Sequence, residues 1–114
     1  MAKTLDFNKV NRPVLQLIMQ DEARTEIKVS TPTESLVEEL KEMLPELERV
    51  LAPGDKESTV AAYDLAARLI NCNRSLVTVT GEELLTKYRM DLESLLMFYV
   101  AYSEFITEIQ EAKN

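Results

Sequence analysis

The sequence predicts an α+β fold: an N-terminal antiparallel β-hairpin followed by about four α-helices. Three observations predict it. Two segments near the N-terminus alternate apolar and polar residues with the period of a strand. From residue 31 onward the apolar residues recur at intervals of three and four. Two capping-box patterns, "TPTE" and "TGEE", punctuate the later part of the chain. The 114 residues are the size of one ordinary domain, with residues 1–30 as the hairpin region and 31–114 as the helical region.

In "PVLQLIMQ" (13–20), Leu15, Leu17 and Met19 alternate with Gln16 and Gln20. In "TEIKVS" (25–30), Thr25, Ile27 and Val29 alternate with Glu26 and Lys28. "DEAR" (21–24) has the length of a four-residue hairpin loop, and Asp21 suits the start of a type I turn. "TLDF" (4–7) is available as a short third strand. An isolated hairpin is marginal in water, so this one requires helices or a second subunit against it.

"TPTE" (31–34) starts the first helix, with Thr31 as the cap, Pro32 in the first helical position and Glu34 completing the box. Leu36, Val37, Leu40, Met43, Leu44, Leu47, Val50 and Leu51 form its apolar stripe. Pro45 predicts a kink or break, because its ring disfavours helical geometry at Leu44 and removes a hydrogen bond. The next helix runs from about Lys56 to about Asn71 and is apolar enough to be buried on more than one side. Asn71 or Asn73 can close it in the left-handed conformation. Leu76, Val77 and Val79 then reach back to the core. Thr80 and Glu83 cap a short helix to about Tyr88, and Asp91 caps the last one. In that helix Leu92, Leu95, Leu96, Tyr99, Tyr102, Ile106 and Ile109 form a stripe that Phe98, Ala101 and Phe105 widen.

Composition narrows the function classes. The apolar fraction is 46% and the charged fraction 29%, enough for a core. Net charge is −7, and residues 31–58 alone carry eight acids against three bases. Such a balance repels a polyanion, so no nucleic acid is expected as a partner. The longest apolar run, Leu95 to Tyr102, is too short to span a bilayer, and no secretion signal is recognisable; a soluble cytoplasmic protein is expected.

Catalytic chemistry finds little material. There is no histidine, the commonest general base and metal ligand. Two glycines cannot build a phosphate loop. Cys72 is the only cysteine, so it has neither a disulfide partner nor a base to activate it. A binding or assembly protein with no cofactor is the better class. Leu15, Leu17, Met19, Ile27, Val29, Tyr99, Tyr102 and Phe105 are the candidates for a self-association or partner surface.

"KTLDFNKVNRP" near the N-terminus and "LINCNR…VTGEELLTKYRMDLESLLMFYVAYSEFITEI" later in the chain resemble small tail-assembly chaperones of siphophages and prophages of Gram-positive bacteria. The shared elements fall at Asn71 and Asn73, at Thr80 to Leu84, at Asp91, and at Phe98, Ala101, Tyr102, Phe105 and Ile106. The resemblance covers most of the chain and rests on packing and capping motifs. It implies a non-enzymatic protein that coats the apolar, helical tape-measure protein and gives way as tail-tube subunits polymerise. It further implies a place in the cytoplasm of the bacterial host, absence from the mature virion, and homo-oligomers for some members. Two other readings remain beside it: a structural tail or head-tail connector protein, and a small acidic adaptor for a basic partner.

Overall fold

A computed structural model describes residues 14–46, 56–73, 75 and 77–112. Strands β1 (Leu15–Ile18) and β2 (Glu26–Val29) form an antiparallel pair with Leu15 opposite Val29 and Leu17 opposite Ile27. Four α-helices follow among the described residues: α1 (Glu34–Met43), α2 (Lys56–Ile70), α3 (Gly81–Thr86) and α4 (Leu92–Ala112). The fold is α+β, as the sequence predicts. The option of a strand at residues 4–7 lies outside the described residues, as does the apolar stripe beyond Glu46.

The hairpin loop is held by Asp21. Its carboxylate accepts from the backbone N–H of Thr25 at 2.8 Å and from the Thr25 hydroxyl, and these bonds hold its pKa below the ordinary carboxylate range. Its carbonyl accepts from Arg24 N–H at 3.0 Å, and Arg24 turns the chain with a φ of 52°. Period-two alternation then places Met19, Ile27 and Val29 inward, buried beneath the helices.

Helix α1 begins two residues later than the sequence suggests. Thr33, not Thr31, is the cap, and its hydroxyl accepts from Leu36 N–H at 3.3 Å. Pro32 therefore precedes the cap, and Glu34 occupies the first helical position, where it meets the positive end of the helix dipole but closes no box. Pro45 acts as predicted: α1 ends at Met43, and a single 3₁₀ turn covers Leu44–Glu46. Leu40 is the buried residue of α1, with Leu36, Met43 and Leu44 packed partly against the core. Glu39 holds Arg68 of α2 in a two-pronged ion pair at 2.8 and 2.9 Å, about half exposed and so of small energetic weight.

Helix α2 is the centre of the core. Ala62, Tyr63, Leu65, Ala66, Ala67, Leu69 and Ile70 are all buried, on more than one side of the helix. Its small residues permit close neighbours, and α3 takes the closest position. A Cβ on Gly81 would stand 2.5 Å from the Asp64 carboxylate and 3.1 Å from the Tyr63 carbonyl carbon and the Asp64 backbone nitrogen, so any larger residue where α3 starts would have to push it away from α2. Thr80 caps α3 as predicted. Its hydroxyl accepts from Glu83 N–H at 3.1 Å, while the Glu83 carboxylate accepts from Thr80 N–H at 3.2 Å. Asp91 caps α4 by accepting from Ser94 N–H at 2.8 Å, which lowers its pKa. Between α3 and α4, Arg89 adopts a φ of 54° and brings Met90 N–H to the Leu84 carbonyl at 2.8 Å.

All four tyrosines, Tyr63, Tyr88, Tyr99 and Tyr102, lie in this core. Tyr63 donates to the Met90 carbonyl at 2.7 Å, and Tyr99 donates to the Ala62 carbonyl. The Tyr102 hydroxyl is buried without a partner. Its ring packs against Phe98 and Phe105 at centroid separations of 5.5 and 5.7 Å.

Thr80→Ala lowers the unfolding free energy by about 1 kcal/mol in urea titrations, and Gly81→Ala lowers it by about 1–3 kcal/mol, because the methyl group forces α3 off α2. Among the tyrosines, Tyr63→Phe and Tyr99→Phe each cost about 1 kcal/mol, whereas Tyr102→Phe costs nothing or stabilises, since it removes an unpaired buried hydroxyl. Burial raises the pKa of Tyr63, Tyr99 and Tyr102 above the usual 10.0. As pH rises past 10 the unfolded chain releases protons that the folded chain retains, so stability falls there, in alkaline melting curves.

Candidate interaction surface

The residues around Cys72 form a joint that decides which surfaces of the fold remain open. Asn73 uses all the hydrogen-bonding capacity of its amide. It donates to the carbonyls of Ile70 at 2.8 Å and Val77 at 2.7 Å, and accepts from Ser75 N–H at 3.0 Å and Val77 N–H at 3.2 Å. Asn71 clasps Val79 in both directions, at 2.9 and 2.7 Å. Neither asparagine takes a positive φ, so they close the helix through their side chains rather than through left-handed backbone. Val79 is driven into the core and Val77 packs against it.

The joint also covers the outer edge of β2. Val29 and Asn73 form an isolated antiparallel bridge. Ser30 N–H donates to the Cys72 carbonyl at 2.7 Å, and Lys28 N–H to the Ser75 hydroxyl at 3.0 Å. The Ser30 hydroxyl reaches the same Cys72 carbonyl at 3.0 Å. Cys72 thus serves through its backbone; its thiol is free and half-buried. Among the described residues no group of three or more His, Cys, Asp or Glu side chains is arranged to hold a metal ion.

The sequence-derived candidates for a partner surface are mostly elsewhere. Met19, Ile27, Val29, Tyr99, Tyr102 and Phe105 are buried within this chain and present no surface to another protein. Leu15 and Leu17 are half-buried and pack partly against the core. The reason is rotational: the strip of α4 carrying Leu95, Phe98, Tyr99, Tyr102, Phe105 and Ile109 is turned inward.

Other apolar residues are left outside. Met97 is 66% exposed, Val100 53% and Ile18 52%; Leu92, Leu96 and Val14 are also exposed. These are six of the eight large apolar side chains exposed among the described residues, and all lie in or beside β1 or in the first half of α4. The signal for them was the run Leu95–Tyr102. A helix that is apolar at every position for two turns must leave part of it in water.

Between β1 and α4 lies a groove of about 270 Å³. Leu17, Ile18 and Met19 form one wall, Met97, Phe98 and Ala101 another, and Tyr88 and Met90 close one end. Gln20 bridges the walls by donating to the Ser94 hydroxyl at 3.1 Å. Both walls come from uncharged stretches, residues 14–20 and 94–103. The acids gather instead on α1, where Glu34, Glu38 and Glu42 are exposed. A second hollow, of about 360 Å³, opens between α1 and the far half of α4, with Val37 and Ile106 in its wall and Glu34, Glu38 and Lys41 around it.

No described helix is long and apolar enough to cross a membrane. The chain matches no protein-family model, and no curated protein or solved structure is significantly similar to it.

Proposed function

We propose that this protein is a non-enzymatic tail-assembly chaperone that holds an apolar helical face of a tape-measure protein until tail-tube subunits replace it. The observation that carries the reading is the exposed ridge of α4. Leu92, Leu96 and Val100 follow one another every four residues along one side of the helix, with Met97 beside them. A ridge of this kind packs into the groove of a second helix. It is shallow and unpolarised, which suits an occupant that must later be released. The resemblance in the capping and packing motifs supports the same role. On this reading the protein acts in the cytoplasm of the bacterial host and leaves before the virion is complete.

The test is co-expression with the tape-measure protein. Its solubility should rise in the presence of the chaperone, and mass spectrometry should not find the chaperone in mature particles. Leu96→Glu and Val100→Glu change exposed positions, so melting should be unaffected while binding of the tape-measure helix weakens by about tenfold or more. Raised salt should change the affinity little, because the contact is apolar. Unaltered binding by both variants, or no effect on tape-measure solubility, contradicts the proposal. A steep loss of binding with salt points instead to an adaptor working through the acids of α1.

A further inference from the structure

We infer that the outer face of α4 receives an amphipathic helix that carries lysine or arginine beyond one end of its apolar stripe, on the same side of that helix. The inference rests on the proposed reading of the α4 ridge and names the chemistry of its partner. The series Leu92, Leu96, Val100 does not stop where the apolar residues stop. One and two turns further on it reaches Glu104 and Glu108. At about 100° per residue these five positions, with Glu93, Met97 and Thr107, fall within one arc of about 160°. Every one of them is exposed. Leu95, Phe98, Tyr99, Tyr102, Phe105 and Ile109 fill the opposite arc and are buried. The outer face is therefore continuous, and its two halves differ. Leu92, Leu96, Met97 and Val100 make the first half mainly apolar, and Glu104 and Glu108 make the second acidic.

Charge complementarity decides the occupant. Helix α4 contains Glu93, Glu104, Glu108 and Glu111 and no lysine or arginine. At its start, Asp91 and Glu93 are offset by Lys87 and Arg89 close by in sequence. The far half has no such offset. Neither Glu104 nor Glu108 makes a hydrogen bond or ion pair among the described residues. Lys41 of α1 lies on the hollow that Ile106 and Ile109 line, in the company of Glu34 and Glu38. That hollow is on the opposite side of α4 from Glu104 and Glu108. A wholly apolar partner would strip water from these two carboxylates and give nothing in return, whereas a basic one pairs them. Exposed pairs contribute little each. The apolar half therefore holds the partner, and the acidic half selects which helix is held and which way it points. From Leu92 to Glu108 the face is about 24 Å long, so the partner segment needs between four and five turns, roughly.

The experiment is fluorescence anisotropy with two labelled, stapled helical peptides that share one apolar stripe. One carries two lysines beyond the end of the stripe, on its side of the helix; the other carries two glutamates at the same positions. The full chain should bind the lysine peptide about tenfold more tightly. Glu104→Lys combined with Glu108→Lys should reverse the preference, and Glu104→Gln combined with Glu108→Gln should flatten it. Both positions are exposed, so melting should be unchanged. Glu38→Lys on α1 should leave the preference as it is, and Leu96→Ala should weaken both peptides alike. Equal binding of the two peptides by the wild type, a preference that survives the charge reversal, or one abolished by Glu38→Lys overturns the inference and leaves the α4 ridge standing. If neither peptide binds, the reading of the ridge fails and this inference fails with it.

Discussion

The amide of Asn73 is the constraint on which the rest of the arrangement depends. Four hydrogen bonds converge on one side chain and tie Asn73 to Ile70, Ser75 and Val77. They direct the chain leaving α2 toward the start of α3 at Thr80. They also set the Cys72 carbonyl and the Ser75 hydroxyl against β2, more than forty residues earlier in the chain. Without this attachment the hairpin would keep its own pairing but lose its anchor to the helices. Two strands alone do not supply that, because a lone hairpin has too little buried surface to be stable in water.

One consequence is an asymmetric molecule. The joint occupies the β2 edge. The tight approach of α3 to α2 at Gly81, together with the Tyr63 bond to Met90, fixes where α4 begins. Helix α4 then turns its aromatic strip inward, and its remaining apolar residues have no place in the core. The exposed ridge therefore arises from the same packing that stabilises the fold. The acids of α1 lie away from that ridge, which Glu93 and Glu104 of α4 bound at its two ends.

Local features were legible in the sequence because their chemistry is local. Asp21 at the hairpin loop, Pro45 at the end of α1, the Thr80–Glu83 box and the Asp91 cap each act within four residues of themselves. The first cap was displaced because two threonines flank Pro32, and only packing decides between them. The asparagines were located correctly, but their mode of action was not. Asparagine closes helices either by left-handed backbone or by its side-chain amide, and composition does not distinguish the two. The exposed apolar ridge was the least legible part. Helix α4 is apolar around most of its circumference, and which arc faces inward depends on contacts with α2, thirty or more residues away. The covered edge of β2 was hidden for the same reason, since its partners come from a segment with almost no strand pattern of its own.

Amide hydrogen exchange in Asn73→Ala tests the central claim most directly. If the joint anchors the hairpin, Lys28 and Ser30 lose protection together with Ser75 and Val77, although the substitution lies more than forty residues away in sequence. Protection lost at Ser75 and Val77 alone, with Lys28 and Ser30 unchanged, would show that the hairpin is held by its apolar face and that the joint is only a local turn.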